Sequence, residues 1–130
     1  MNIDELTIGQ VKEIAAMLGG MGRENPKIPS GIDDYLGYDV IIRTYSAGVW
    51  FGMLAKKEGN EVVLHDARRM WKWKCKQGIS LSEIALYGIN HEESRICAPV
   101  PAVWLEAIEI IPVSDEARDS IMGAKNAEAR

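Results

Sequence analysis

An alternation of apolar and polar residues with a period of two runs from residue 38 to residue 75, and it constrains the fold more than any other feature. Side chains on successive residues of a strand point to opposite faces of a sheet, so this period is typical of half-buried strands. Turn-forming residues with glycine interrupt it at 46–48 and 57–60, as tight hairpins require. The pattern therefore predicts a meander of antiparallel strands over the segments 38–45, 48–55, 61–67 and 69–75.

The rest of the chain adds a closing strand and short helices. Residues 79–87 fit either a strand or a short helix, and 102–112 predicts a long strand that Pro112 ends. Ser114, followed by two acidic residues, is typical of a helix start, and the tail after about residue 122 is expected to fray. The predicted fold class is mainly β (α+β), a small bent antiparallel meander or half-open barrel with a short C-terminal helix.

An N-terminal helix is predicted over residues 7–18. Thr7 followed three residues later by Gln10 matches the pattern of a capping box, and apolar residues then recur at helical spacing. A lone helix of about a dozen residues is marginal in water, so it must dock either on its own domain or on a neighbouring subunit. The predicted organisation is a helix, a linker, a β-rich ligand-binding domain, and a short helix with a frayed tail, at 1–20, 21–37, 38–113 and 114–130.

Composition limits the class of protein. The 130 residues suit one domain, and no apolar run approaches the roughly 20 residues of a membrane-spanning helix. The N-terminus lacks the basic and apolar regions of a secretory signal, and the two cysteines are too few for a disulfide framework. We expect a cytoplasmic protein with free thiols.

A basic stripe stands out in a chain whose net charge is −4. Residues 68–76 carry five basic groups and no acid, which favours a focused anion site. In an extended strand Arg69, Trp71 and Trp73 share one face, and Arg68 lies on the other. Arginine forks onto phosphate, and an indole offers a surface on which a base stacks. The other interpretation is that the tryptophans face the core and the basic groups are solvated.

Further candidate contacts lie outside this stripe. Arg43 interrupts an apolar run, so it must pair with Asp66 or Glu61, or else face water or a ligand. Near residue 87 the candidates are Tyr87 for stacking, and Asn90 and Arg95 for the base edge and phosphate.

Catalytic signals are few. The histidines, His65 and His91, show no metal-ligand or catalytic spacing, and no phosphate-binding loop is present. We expect no catalytic residue, no metal and no cofactor.

Four segments resemble a recurring phage and prophage domain, and through it the first-described phage Thoeris anti-defence family. They read VIIRTYSAGVWFG, DARRMW, ALYG and EAIEIIP, at 40–52, 66–71, 85–88 and 106–112. The resemblance implies a sponge that sequesters cyclic ADP-ribose isomers, and in some members cyclic oligonucleotides, without cleaving them. It also implies a homo-oligomer, either a dimer with interfacial pockets or a hexamer, in the cytoplasm of an infected bacterium.

The residue chemistry and the resemblance converge on nucleotide binding without turnover. On chemistry alone, the expected nucleotide-binding residues are Arg43, Arg68, Arg69, Trp71, Tyr87, Asn90 and Arg95. One alternative is a small-barrel module for single-stranded nucleic acid, against which the overall acidity counts. A structural phage protein and an enzyme are the remaining alternatives.

Overall fold

A computed structural model describes residues 35–129, and within them the chain is mainly β. Five antiparallel strands form one sheet, with two short α-helices and one turn of 3-10 helix at His91–Glu93. The strands are β1 Asp39–Thr44, β2 Val49–Glu58, β3 Glu61–Lys72, β4 Arg95–Ile96 and β5 Val100–Pro112, and the helices are α1 Leu81–Tyr87 and α2 Asp115–Met122. This confirms the predicted fold class. The helix predicted at 7–18, and the linker up to residue 34, lie outside the described residues.

The sheet is strongly bent. Its strand order is β2-β1-β5-β3-β4, and β2 pairs with β3 as well as with β1. Tight turns join β1 to β2 and β2 to β3, and Gly48 and Gly59 lie in them with φ of 88° and 59°. The predicted meander and its closing strand are confirmed, because β5 pairs with both β1 and β3.

Two apolar clusters lie on the two faces of this sheet. The strand cluster takes residues from the four long strands: Val40, Ile42, Trp50, Leu54, Val62, Leu64, Ala67, Leu105 and Ala107. The helix cluster joins Ile41, Phe51 and Met70 to both helices. Each face of the sheet is therefore partly covered, and the long strands carry more buried residues than simple alternation would give.

A bulge in β3 decides which residues enter which cluster. Phe51 pairs with Arg68 and Met53 pairs with His65, so Gly52 alone faces two residues of β3. Asp66, at the bulge, has a φ of 52°. A bulge of this kind bends its strand, and here it makes one long strand of the two predicted at 61–67 and 69–75.

The bulge also resets the alternation of side chains. Leu64 and Ala67 both enter the strand cluster, although they are three residues apart. Met70 then enters the helix cluster, and Arg68 is buried with a 2% exposed side chain. Arg69, between these two residues, points away from the helices and lies over Trp50.

Local hydrogen bonds explain the two helices. The segment that was ambiguous at 79–87 forms α1, because Glu83 Oε1 accepts hydrogen bonds from the backbone nitrogens of Ile79 and Ser80 at 2.8 and 2.9 Å. These bonds hold the pKa of the Glu83 carboxyl below its usual range. Ser114 caps α2 by accepting from the nitrogen of Ala117 at 3.1 Å, as predicted.

The C-terminal tail lies against β4. Asn126 forms a parallel bridge with Ile96, and the nitrogen of Ala127 donates to the Ile96 carbonyl at 2.8 Å. The sequence led us to expect fraying here, because the tail has no apolar pattern of its own. Its partner, a strand of two residues, is also invisible as a period-two pattern.

Candidate functional site

A cleft beside Trp71 combines an exposed indole with a guanidinium. Its volume is about 420 Å³, and it is lined by Trp71, Arg95, Cys97 and the tail residues Ala127, Glu128 and Ala129. Trp71 is 68% exposed, a large apolar surface to leave in water. The cleft therefore offers an aromatic plane and a cation within one depression.

The strand pattern explains how this indole comes to be exposed. Met70 turns into the helix cluster, so its neighbour Trp71 turns away from it. The sequence left open whether Trp71 and Trp73 face the core or a ligand, and the structure separates them. β3 ends at Lys72, and Trp73 packs against the helix cluster.

Strand pairing brings Arg95 to the indole. β4 pairs with the end of β3, with Met70 opposite Ile96 and Lys72 opposite Arg95. Trp71 lies between these two pairs, where the register shifts. Arg95 Nη2 donates to the carbonyl of Glu128 in the tail. A guanidinium has five N–H donors, so this contact uses a fraction of its capacity.

A second cleft adjoins the first. Its volume is about 480 Å³, and it shares Arg95 and the tail residues with the Trp71 cleft. Its other lining residues include the polar side chains of His91, Ser94 and Lys125. The tail thus separates an aromatic cleft from a polar, partly cationic one.

Comparison with known proteins gives a family for this fold. The family described as "Domain of unknown function (DUF6948)" matches residues 37–121. The chain belongs to this family. No curated protein and no solved structure matches it. The finding supplies no function and no link to Thoeris anti-defence.

The matched residues locate the clefts relative to the DUF6948 domain. The match begins two residues before β1 and ends within α2, so it covers the whole sheet and the lining residues Trp71, Arg95 and Cys97. The tail residues that complete the clefts lie beyond it.

Arg68, predicted to contact phosphate, is a structural residue of this DUF6948 protein. Its guanidinium donates to the carbonyls of four residues and to one side-chain oxygen. These acceptors are Cys97 O at 2.8 Å, Ile121 O at 2.9 Å, Met122 O at 3.2 Å, Ala124 O at 2.9 Å and Asn126 Oδ1 at 2.9 Å. Burial lowers the pKa of the guanidinium. Arg68 therefore ties β3 to the tail, and we leave it out of the ligand site.

The other two predicted arginines lie away from the clefts. Arg69 stacks on Trp50, with its guanidinium carbon 4.6 Å from the ring centroid. Arg43 Nε is 2.8 Å from Glu109 Oε1, across the β1–β5 pairing. The sequence offered Asp66 or Glu61 as its partner, and both were wrong because β5 lies beside β1 in the sheet.

Tyr87 and Asn90 do not line either cleft. Tyr87 is half-buried at the end of α1. Asn90 Oδ1 accepts from the nitrogens of Glu92 and Glu93 at 3.0 and 3.1 Å and so caps the 3-10 helix. Of the predicted set, the structure brings Trp71 and Arg95 together in one cleft and places the others elsewhere.

The basic stripe at 68–76 does not form a continuous cationic surface. Lys74 Nζ lies 3.6 Å from Glu93 Oε1, and Lys76 Nζ lies 3.7 Å from Glu116 Oε2. Arg68 is buried, so three of the five basic groups of the stripe are either buried or paired with an acid. The cleft residue Lys125 was missed, since it lies in a segment expected to fray.

Two further findings concern residues 35–129. No group of three or more His, Cys, Asp or Glu side chains there is placed to hold a metal ion. No helix in this part of the chain is long and apolar enough to cross a membrane. Cys75 and Cys97 are free thiols, and burial raises the pKa of Cys75.

Proposed function

We propose that this DUF6948 protein binds a phosphate-bearing nucleotide, without converting it, in the cleft between Trp71 and Arg95. The observation that carries the proposal is the 68% exposed indole of Trp71 in the same cleft as a guanidinium. A base stacked on such an indole gains about 1–3 kcal/mol, whichever base it is. A guanidinium forks onto phosphate oxygens through two parallel hydrogen bonds.

The other exposed aromatic side chains fit this role less well. Trp104 is 57% exposed, but its Nε1 lies 3.3 Å from Glu61 Oε1, in acidic surroundings that repel phosphate. Tyr45 is 90% exposed in the β1–β2 turn, next to an arginine already paired with Glu109. The Trp71 cleft is where a stacking surface and an available cation coincide.

The narrower form of the proposal concerns the ligand's identity. We propose a cyclic ADP-ribose-type signal, with cyclic oligonucleotides as a further class, held by a homo-oligomer that acts as a phage counter-defence sponge in the bacterial cytoplasm. The resemblance of the segments at 40–52 and 66–71 to the Thoeris anti-defence family supports this form. Cyclic ADP-ribose isomers carry both an adenine and a pyrophosphate, which suit Trp71 and Arg95 respectively, and cyclic oligonucleotides offer bases and phosphodiesters to the same two side chains.

Calorimetry with a ligand panel tests the proposal. The panel contains cyclic ADP-ribose isomers, cyclic di- and trinucleotides, ADP-ribose and a short oligo-A, and the ligand is recovered afterwards and chromatographed. We expect tight binding of a cyclic species that is recovered intact. Recovery of a cleaved product would show an enzyme, and no heat with any cyclic species would contradict the sponge.

A matched pair of arginine variants locates the site. R95Q is expected to weaken binding roughly 10- to 100-fold, because it removes a charge-assisted contact of about 1.5–3 kcal/mol. R43Q removes an exposed arginine outside the clefts and should leave the affinity within about twofold. Equal losses in both variants would place the ligand elsewhere.

The nucleic-acid alternative has its own signature. A single-strand-binding module would bind oligo-A more tightly as the oligonucleotide lengthens, and its affinity would fall steeply with salt. Pairing of Lys74 and Lys76 with acidic residues favours the small ligand, because it reduces the cationic track that a polynucleotide follows.

A further inference from the structure

The C-terminal tail is held firmly up to Ala127 and lightly beyond it. Arg68 binds the carbonyls of Met122 and Ala124 and the side chain of Asn126, and Ile96 accepts from the nitrogen of Ala127. Within the described residues, the tail after Ala127 is held by the hydrogen bond from Arg95 to the Glu128 carbonyl. The tail therefore has a fixed base and an end held by an exposed contact.

That contact takes up part of the donor capacity of the guanidinium that the proposed ligand needs. The Glu128 carbonyl is a neutral acceptor that presents a partial negative charge to the guanidinium of Arg95. A phosphate carries a full charge and two or more oxygens for the same donors. The bond to the carbonyl is charged on the donor side only, whereas a phosphate adds a charged acceptor and can accept two parallel hydrogen bonds, so phosphate is the better partner.

The same residues stand between the two clefts. Ala127, Glu128 and Ala129 line both the 420 Å³ cleft of Trp71 and the 480 Å³ cleft of His91 and Lys125. Each volume alone is near the lower end of the roughly 300–1,000 Å³ range of ligand pockets. Movement of residues 128 and 129 away from Arg95 would join the aromatic cleft of Trp71 to the polar cleft of His91 and Lys125.

We propose that residues 128–129 of the tail compete with the ligand for Arg95, and that their displacement joins the two clefts into one site for a pyrophosphate-bearing nucleotide. In that site the base stacks on Trp71, Arg95 binds the pyrophosphate at the centre, and Lys125 lies on the far side. The inference rests on the proposed function and adds a built-in competitor to it. In the free protein Arg95 donates to the Glu128 carbonyl, and ligand binding replaces this acceptor with phosphate.

Removal of the competitor provides the test. A variant that ends at Ala127 is prepared with a C-terminal amide, because a new carboxylate there would itself pair with Arg95. Its affinities for ADP-ribose and for inorganic pyrophosphate are measured by calorimetry beside those of the full chain. If residues 128–129 contact Arg95 in about nine-tenths of the molecules, the apparent affinity for the ligand is about tenfold below its intrinsic value. We therefore expect truncation to raise the affinity roughly 3- to 10-fold.

A charge control separates the carbonyl from the carboxylate. E128Q keeps the backbone carbonyl and removes the side-chain charge, and we expect its affinities to stay within about twofold of the full chain. A gain in E128Q as large as that of the truncated protein would assign the effect to charge repulsion and overturn the competition.

The remaining outcomes distinguish the two proposals. Equal binding by the full and truncated chains, or weaker binding by the truncated one, would overturn the inference and leave nucleotide binding intact. Binding by the truncated chain alone would support both. Absence of binding by either chain, for both probes, would overturn the proposed pyrophosphate site and the inference with it.

Discussion

Arg68 shows how a residue's surroundings decide its role. In sequence it is one of five basic groups in a stripe, and strand alternation places it on the opposite face from Arg69 without showing which of the two faces is buried. The bulge at Asp66 turns Arg68 toward the helix side, where the end of α2 and the tail present their carbonyls. Arg69 is left on the other face, over Trp50.

This arrangement predicts a large cost for the loss of the Arg68 guanidinium. R68A leaves several carbonyls without a donor in a site that is 2% exposed, and each unsatisfied buried group costs about 1–3 kcal/mol. We expect the free energy of unfolding to fall by more than about 3 kcal/mol, and R68K, with three donors on a flexible stem, to recover part of it. Urea denaturation followed by tryptophan fluorescence measures both. A loss below about 1 kcal/mol in R68A would show that the tail is not anchored there.

At the scale of elements, the bulge is the feature on which the site depends. Gly52 faces the bulge, and a Cβ there would lie 3.1 Å from Leu64 Cβ and 3.2 Å from Ala67 Cα. These are tighter than ordinary van der Waals contacts, and one of the two atoms belongs to the backbone. The close approach of β2 to β3 therefore requires a residue without a side chain at position 52.

A pair of substitutions at the bulge tests this. G52A should lower the free energy of unfolding by about 1–3 kcal/mol, because it forces apart two packed strands. D66G should be neutral or stabilising by up to about 1 kcal/mol, since glycine adopts the φ of 52° without steric cost. Thermal unfolding of both variants gives the comparison. A G52A protein as stable as the parent would mean that β3 lacks the bulge.

Across the whole molecule, the sequence predicts the strands better than the site. The strands β1, β2 and β5 follow from alternation and from the turn glycines, because each is long enough to show a period of two, whereas β3 was predicted as two strands since its bulge resets the alternation. β4 has two residues and the tail has no pattern, so neither is visible in the sequence. Both are needed to bring Arg95 and the tail carbonyl to Trp71, and this explains why the cleft as a whole could not be predicted.

The residues of the site could be predicted only from their side-chain chemistry, which is less specific than the periodicity of the strands. Indoles stack on bases and guanidiniums bind phosphate, which predicts a role for Trp71 and Arg95 but equally for Arg43, Arg68 and Arg69. The pairing of the strands decides which of these residues reach a cleft. It leaves Arg43 on a carboxylate, Arg69 on a ring and Arg68 on backbone carbonyls. The helix predicted at 7–18 and the homo-oligomer stay predictions.

The central claim is that a nucleotide stacks on the exposed indole of Trp71. The most direct test is to titrate the parent chain, W71A and W104A with the cyclic ligand that binds the parent most tightly. Both substitutions remove an indole that is more than half exposed, so W104A is a matched control. We predict that W71A weakens binding roughly 5- to 150-fold, the equivalent of about 1–3 kcal/mol of stacking, and that W104A binds like the parent. Unchanged affinity in W71A, or an equal loss in W104A, would contradict the claim.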